Sequence, residues 1–369
     1  MRGAARPSSP PRRATAVAAL ASAPADNRPP APPPRLACLV KLGGALITDK
    51  SRDVEALRPE ALRETARHLA LAYKQSSNGG SEGSGSSSRG VVVVHGAGSF
   101  GHPPARRYGV ARGGDLRSDP FLREGVCETR LRVSRLHGLV LEALLEAGVP
   151  AAGLPPFAGG WGPTHGPGRV SPSRAADACG RVRACLDAGL VPVLYGDVVL
   201  DATQGCAVLS GDAIMRELAK ALRPERAVFL TDVDGVFDRP PEEAGARLVR
   251  VARLGGGGGG EDDEWVLEGS GGSNGGNGGG VRLGGAREGA ADVSGGMEAK
   301  VEEAAAISRE AGGAPVIVAK GGTESALQAL LRGADAFSLE GGGGGGGRAL
   351  RGTVVMTRAE RTRPRRFDC

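Results

Sequence analysis

Short aliphatic runs that stop at glycines constrain this chain more than any other feature. "LACLVKLGG" (36–44), "VVVVHGAGSFG" (91–101) and "APVIVAKGG" (314–322) each place Val, Leu, Ile and Ala directly before a glycine turn. Segments with apolar residues at helical spacing lie between them: 59–74, 119–148, 173–189, 210–222, 292–312 and 323–333. Further strand-like runs are "LVPVLYGDVVLD" (190–201), "RAVFLTDVDGVFD" (226–238) and "LRGTVVMTR" (350–358). Strands alternating with helices predict a mostly parallel sheet covered by helices. Ligands of such sheets sit at the carboxyl ends of the strands, where these glycines are.

"GAGSFG" (96–101) satisfies the dinucleotide pattern G-x-G-x-x-G by letter. That reading needs an acidic residue at the end of the next strand, about 20 positions on. Asp115 has roughly that spacing but lies in the loop sequence "ARGGDLRSD". Pro103 and Pro104 follow at once, and proline suits the start of a helix. A phosphate loop of another kind fits better, because amides in glycine turns at helix N-termini bind anions. Gly43-Gly44, Gly96 to Gly101, Gly295-Gly296 and Gly321-Gly322 together suggest a polyphosphate held from several sides. The P-loop sequence and the H-R-D and D-F-G signatures of protein kinases are missing.

Lysines mark the same turns: Lys41, Lys50, Lys300 and Lys320. Lys41 interrupts an aliphatic strand, a costly place for a charge unless it is paired. Asp232, Asp234 and Asp238 make an acidic turn after the 226–231 strand. An EF-hand is disfavoured there, since Phe237 stands where the loop needs its glycine and proline intrudes. Contact with a nucleotide or Mg²⁺ and a solvated acidic turn are the two readings left.

Composition removes other classes. The formal charge is +6, but residues 1–35 hold six Arg against one acid, Asp26, and so carry five of those charges. Only the tail Arg358–Arg366 is otherwise basic, which argues against nucleic acid as a partner. No apolar stretch reaches the roughly eighteen residues of a membrane span. The six cysteines form no C-x-x-C pair, which argues for free thiols rather than zinc or a disulfide framework. Residues 1–35 read as an organelle transit peptide or as a disordered Pro-rich extension, giving a plastid or cytosolic location. Low-complexity inserts are expected near 76–90, 255–285 and 341–347, within a domain spanning 36–358 and followed by the basic tail 359–369.

In chain order "VKLGGALIT", "HGAGSFGHP", "GDVVLD", "LSGDAI", "LTDVDGVFDRPP", "DVSGGMEAK" and "LRGTVV" resemble the motifs of isopentenyl phosphate kinases, members of the amino acid kinase superfamily. "DRPP" looks like the plant-type members. The resemblance implies a three-layer α/β/α sandwich with an open, mostly parallel sheet, usually a homodimer. It implies phosphorylation of isopentenyl phosphate to isopentenyl diphosphate with ATP and Mg²⁺, and no side chain is assigned as a metal ligand. By position, Lys41, Gly43 and Gly44 match the first ATP loop, and Lys50 the lysine that stabilises the transition state. Ala97 and Gly98 match the turn between acceptor and ATP phosphates, and His102 the histidine on the acceptor phosphate. Gly211 matches an acceptor contact, while Asp232, Lys300 and Gly321 match nucleotide-side positions. Ala97 replaces the middle glycine of many members, Ser294 stands where threonine is usual, and the last loop is "KGGTES". The alternatives are a related kinase with a carboxylate, carbamate, phosphonate or nucleoside monophosphate acceptor, or a non-catalytic nucleotide-binding regulator.

Overall fold

Burial on both faces explains why the strands read as unbroken aliphatic runs. The computed structural model describes residues 36–49, 54–78, 90–166, 169–254, 265–269, 281–283, 295–337 and 350–357. In chain order these form β1 (Cys38–Leu42), α1 (Gly44–Ile47), α2 (Pro59–Asn78), β2 (Val91–His95), α3 (Gly98–Arg107) and α4 (Pro120–Glu146). Next come β3 (Ala151–Gly153), α5 (Pro172–Asp187), β4 (Val191–Tyr195), β5 (Asp197–Asp201), β6 (Gly205–Leu209) and α6 (Gly211–Leu222). The chain continues as β7 (Arg226–Thr231), β8 (Val249–Leu254), β9 (Trp265–Gly269), β10 (Val281–Leu283), α7 (Gly295–Glu310), β11 (Val316–Lys320), α8 (Glu324–Arg332) and β12 (Thr353–Met356).

The main sheet runs β10-β9-β8-β12-β11-β7-β1-β2-β4-β3. From β11 to β3 every neighbouring pair is parallel. Alternation along the strands splits the core in two. Leu39, Val92 and Val94 pack with Val182 of α5, Leu218 of α6 and Ala304 of α7. Cys38, Val40, Leu42, Val91 and Val93 pack with Leu69 of α2, Leu136 of α4 and Ala329 of α8. The result is the expected three-layer α/β/α sandwich.

Three local expectations need correction. The single strand expected over 190–201 is two, β4 in the main sheet and β5 in a hairpin with β6, because Gly196 turns the chain between them. The region expected as an insert over 255–285 contains β9 and β10, which pair antiparallel with each other and extend the sheet beyond β8. α2 runs to Asn78, a turn beyond the expected helix and into the 76–90 segment. The N-terminal extension 1–35, the glycine segment 341–347 and the tail 359–369 lie outside the described residues.

Candidate active site

Parallel strands put their carboxyl ends on one edge, and backbone hydrogen bonds carry the ladder on into the turns. Gly321 N donates to Thr231 O at 2.9 Å, Gly43 N to Leu230 O at 2.8 Å, Gly96 N to Leu42 O at 2.9 Å and Gly196 N to His95 O at 3.1 Å. The turns after β11, β7, β1, β2 and β4 therefore stand side by side, although they are far apart in sequence. A Cβ on Gly96 would lie 2.9 Å from Gly44 N, and one on Gly196 would lie 3.1 Å from Gly211 N. Side chains there would fill the space over the first amides of α1 and α6.

The second turn uses each of its three glycines differently. Gly96 makes that close approach to Gly44. Gly98 has φ +51°, and its Cβ would lie 2.1 Å from Thr48 Oγ1. Gly101 lets α3 meet α4, since its Cβ would lie 2.7 Å from Val133 Cγ2. Thr48, fully buried, joins the first two turns: its hydroxyl donates to Gly44 O at 2.7 Å and accepts from Ser99 N–H at 3.0 Å. Among the described residues, the Gly44, Ala97 and Gly98 amides have no protein acceptor. They belong to the unsatisfied donors of a helix start, which suit an anion.

Charge is added from both layers. Lys41 shares the strand face of Leu39, so it points to the α6–α7 side. There its ammonium is hydrogen-bonded to the carboxylate of Asp212, in the first turn of α6, and lies 4.8 Å from the Phe229 ring centroid. Glu303 of α7 completes the group with Arg216 at 3.5 Å. Burial and the Asp212 carboxylate raise the Glu303 pKa, against Arg216 and Lys41. Lys300 lies on the same helix one turn earlier and is half-buried. Ser210, not Asp212, caps α6, its hydroxyl accepting from Ala213 N–H. That leaves Asp212 for the lysine.

Asp232 follows β7 and is half-buried, and Asp234 pairs with Arg351 at 2.7 Å. Gly321 closes this side against α1, where its Cβ would meet Leu46 Cδ2 at 2.4 Å. His102 is exposed on α3, four residues after Gly98 and so on the same helix face. Beside it a cavity of about 300 Å³ is lined by Pro103, Pro104, Arg106, Arg107, Glu128 and Arg132. Lys41, Gly43, Gly44, Ala97, Gly98, Gly211, Asp232 and Gly321 thus lie along one edge. His102 and Lys300 stand on the helices that leave it. Lys50 lies outside the described residues. Sequence reasoning passed over Thr48, whose two hydrogen bonds leave no trace in periodicity. It also passed over His95 and His137.

His95 and His137 are buried behind the second turn, 3.1 Å apart. Burial pushes the first down to about 4 and the second, with the adjacent His95, to about 3, from an ordinary 6.5. A depressed histidine contributes stability that is full above pH 6.5 and lost as pH falls toward the folded value. Burial pushes Asp197 up to about 6 from 3.8 and raises Glu303 as well, both acting in the opposite sense over that window, but burial also lowers His68, so two carboxyls stand against three depressed histidines. The denaturation midpoint is therefore expected to fall between about pH 7 and pH 5. A midpoint that is flat or rises would show that the two rings are not held neutral.

Known proteins agree with this architecture. Residues 37–255 match the model of the amino acid kinase family. The chain is 37% identical over 319 residues to the isopentenyl phosphate kinase of Arabidopsis thaliana, an alignment covering 79% of this chain and 90% of that protein. It is 35% identical over 219 residues to the isopentenyl phosphate kinase of Methanothermobacter thermautotrophicus, covering 58% and 74%. A crystal structure of an isopentenyl phosphate kinase superposes with a TM-score of 0.59 at 27% identity, covering 86% of this chain and 99% of the other. With its sheet, its edge of glycine turns and these relatives in agreement, the chain belongs to the amino acid kinase family.

Proposed function

We propose that this protein transfers the γ-phosphoryl group of ATP to isopentenyl phosphate, giving isopentenyl diphosphate and ADP. One observation carries the reading: the Gly96–Gly98 turn stands between the Lys41–Gly44 turn on one side and α3, with His102, on the other. A phosphate on each side would share its amides. The acceptor is already an anion near neutral pH, so no strong base is required. The task is to hold two repelling anions in line and to stabilise the transferring oxygens.

Lys41 and the Gly44 and Gly98 amides would hold ATP phosphates, with Gly43, Asp232, Lys300 and Gly321 on the nucleotide side. Ala97 N–H, Gly211 and His102 would hold the acceptor phosphate, which favours the imidazolium form of an exposed histidine. Lys50 is assigned the transition-state charge by resemblance. The unsatisfied amides fit a polyphosphate. Asp232 would be the residue to hold the waters of a Mg²⁺ ion, which would supply charge neutralisation. The isoprenoid tail would lie toward the apolar cluster of Tyr108, Val110, Val126, Val198 and Cys206 between α4 and the β5–β6 hairpin. A homodimer is part of the same reading. Among the described residues no helix is long and apolar enough to cross a membrane.

A panel of acceptors tests this. Isopentenyl phosphate is expected to be used, and glutamate, carbamate and nucleoside monophosphates are not. His102→Ala should raise KM for isopentenyl phosphate by about 10- to 100-fold, the scale of one charge-assisted hydrogen bond, and leave KM for ATP within about twofold. Turnover of glutamate but not of isopentenyl phosphate would overturn the assignment. An unchanged KM in His102→Ala would remove the histidine from the phosphate.

A further inference from the structure

Behind the second glycine turn lies a group of polar side chains that the phosphoryl transfer leaves unused. Sheet register assembles it. His95 ends β2 in register with Tyr195 at the end of β4, and both lie on the strand face that packs against α4. From α4 come His137 and Ser134. The ring centroids of His95 are 5.4 Å from those of both His137 and Tyr195, and those of His137 and Tyr195 are 4.5 Å apart. Tyr195 Oη lies 3.4 Å from Ser134 Oγ.

Two hydrogen bonds run through the histidines. His95 Nδ1 is 3.0 Å from Gly96 O, and His95 Nε2 is 3.1 Å from His137 Nδ1. Their direction follows from chemistry. A carbonyl only accepts, so His95 Nδ1 carries a proton. The neutral ring then presents a bare Nε2, so His137 Nδ1 must donate to it. His137 Nε2 is left as an acceptor that is buried and without a partner. It faces Gly153, where a Cβ would stand only 2.5 Å away. Among the described residues His95 Nε2 is the one partner of His137 Nδ1.

We propose that His137 and His95 are positioning residues: the one-way chain from His137 N–H to His95 and from His95 N–H to Gly96 O fixes the Gly96–Ala97 peptide plane and so aims the Ala97 amide. In a trans peptide the C=O and the next N–H point to opposite sides. With Gly96 O drawn toward the buried ring, Ala97 N–H points away from it, toward the open edge. Gly96 sits against Gly44 N, so a rotated peptide would also push on the first turn. Neither histidine touches a substrate. The inference rests on the reading that this turn holds phosphate.

The first test needs no substrate. Long-range ¹H–¹⁵N spectra of the full chain with ¹⁵N-labelled histidine report the tautomer of each of its five histidines, assigned by single substitutions. His95 is expected as the neutral Nδ1–H tautomer at pH 7. An Nε2–H tautomer or an imidazolium overturns the proposal. The second test is kinetic, with isopentenyl phosphate. His137→Leu should lower kcat about tenfold, less than outright deletion of an anion-holding donor. His137→Asn, whose amide N–H stands where Nδ1–H was, should stay within about threefold of the parent. Equal kcat in all three, or an equal loss in both variants, overturns it. If His137→Leu does not fold, the tautomer and His137→Asn decide. A parent chain inactive on isopentenyl phosphate, but with the expected tautomer, would refute the substrate and not the positioning.

Discussion

Gly98→Ala is expected to lower kcat/KM by about 100-fold or more while the protein still folds. Two effects act at the same atom. Gly98 has φ +51°, a conformation that costs an L-residue about 1–2 kcal/mol. The new methyl would stand 2.1 Å from Thr48 Oγ1, 2.9 Å from Thr48 Cγ2 and 3.0 Å from Gly44 O. Thr48 has nowhere to go. It is fully buried, and its hydroxyl already serves Gly44 O and Ser99 N–H. The methyl must therefore move backbone, and the backbone within reach is the two turns that would hold the phosphates. A displacement of about 1 Å between reacting groups is enough for a 100-fold loss. Gly138→Ala is the control. It lies within α4 with nothing within 4 Å of its Cβ, so it should raise stability by about 0.5–1 kcal/mol and leave kinetics alone. Steady-state kinetics and thermal melting of both variants measure this. Full activity in Gly98→Ala would mean that the turn does not hold the reacting phosphates.

These glycines also show how far the sequence could be read. The parallel sheet was legible because its central strands are buried on both faces, so Val91–Val94 and Val316–Ala319 read as uninterrupted aliphatic runs. The same property hid the break at Gly196. Residues 190–201 are apolar on either side of it, and no periodicity marks a change of sheet. The strands inside the glycine-rich 255–285 region were hidden by composition, which describes the segment's average and not its "WVLEG". For the site, each turn was visible singly. Their order along the edge was not, because β11, β7, β1, β2 and β4 are neighbours only through crossovers. Contacts made across that order were lost with it. Lys41 was marked as a charge needing a partner, but Asp212 is 171 positions away. His95 and His137 are 42 positions apart and meet only through the packing of α4 on β2.

Lys41→Met is expected to lower kcat by about 100- to 1,000-fold, the scale of removing a preorganised donor from a developing anion, with a smaller effect on folding. Lys41 could be a structural counter-charge for Asp212 or a cation for the transferring phosphate, and the single variant alone does not separate the two. Methionine keeps the aliphatic stem that runs beside Phe229, so packing is largely conserved. What disappears is the ammonium. Of the two cations that hold Glu303 down, Arg216 alone then remains, and Glu303, already raised by burial and by Asp212, is pushed further toward its neutral form. Because Asp212 is about a third exposed, its share of the stability loss is about 1 kcal/mol or less. Lys41→Met with Asp212→Asn removes the orphaned carboxylate. If Lys41 were only the partner of Asp212, this double variant would recover both stability and turnover. If Lys41 holds phosphate, stability returns and kcat stays low. Chemical denaturation and kcat measured on the three proteins decide between them, and recovery of kcat in the double variant would take Lys41 out of the chemistry.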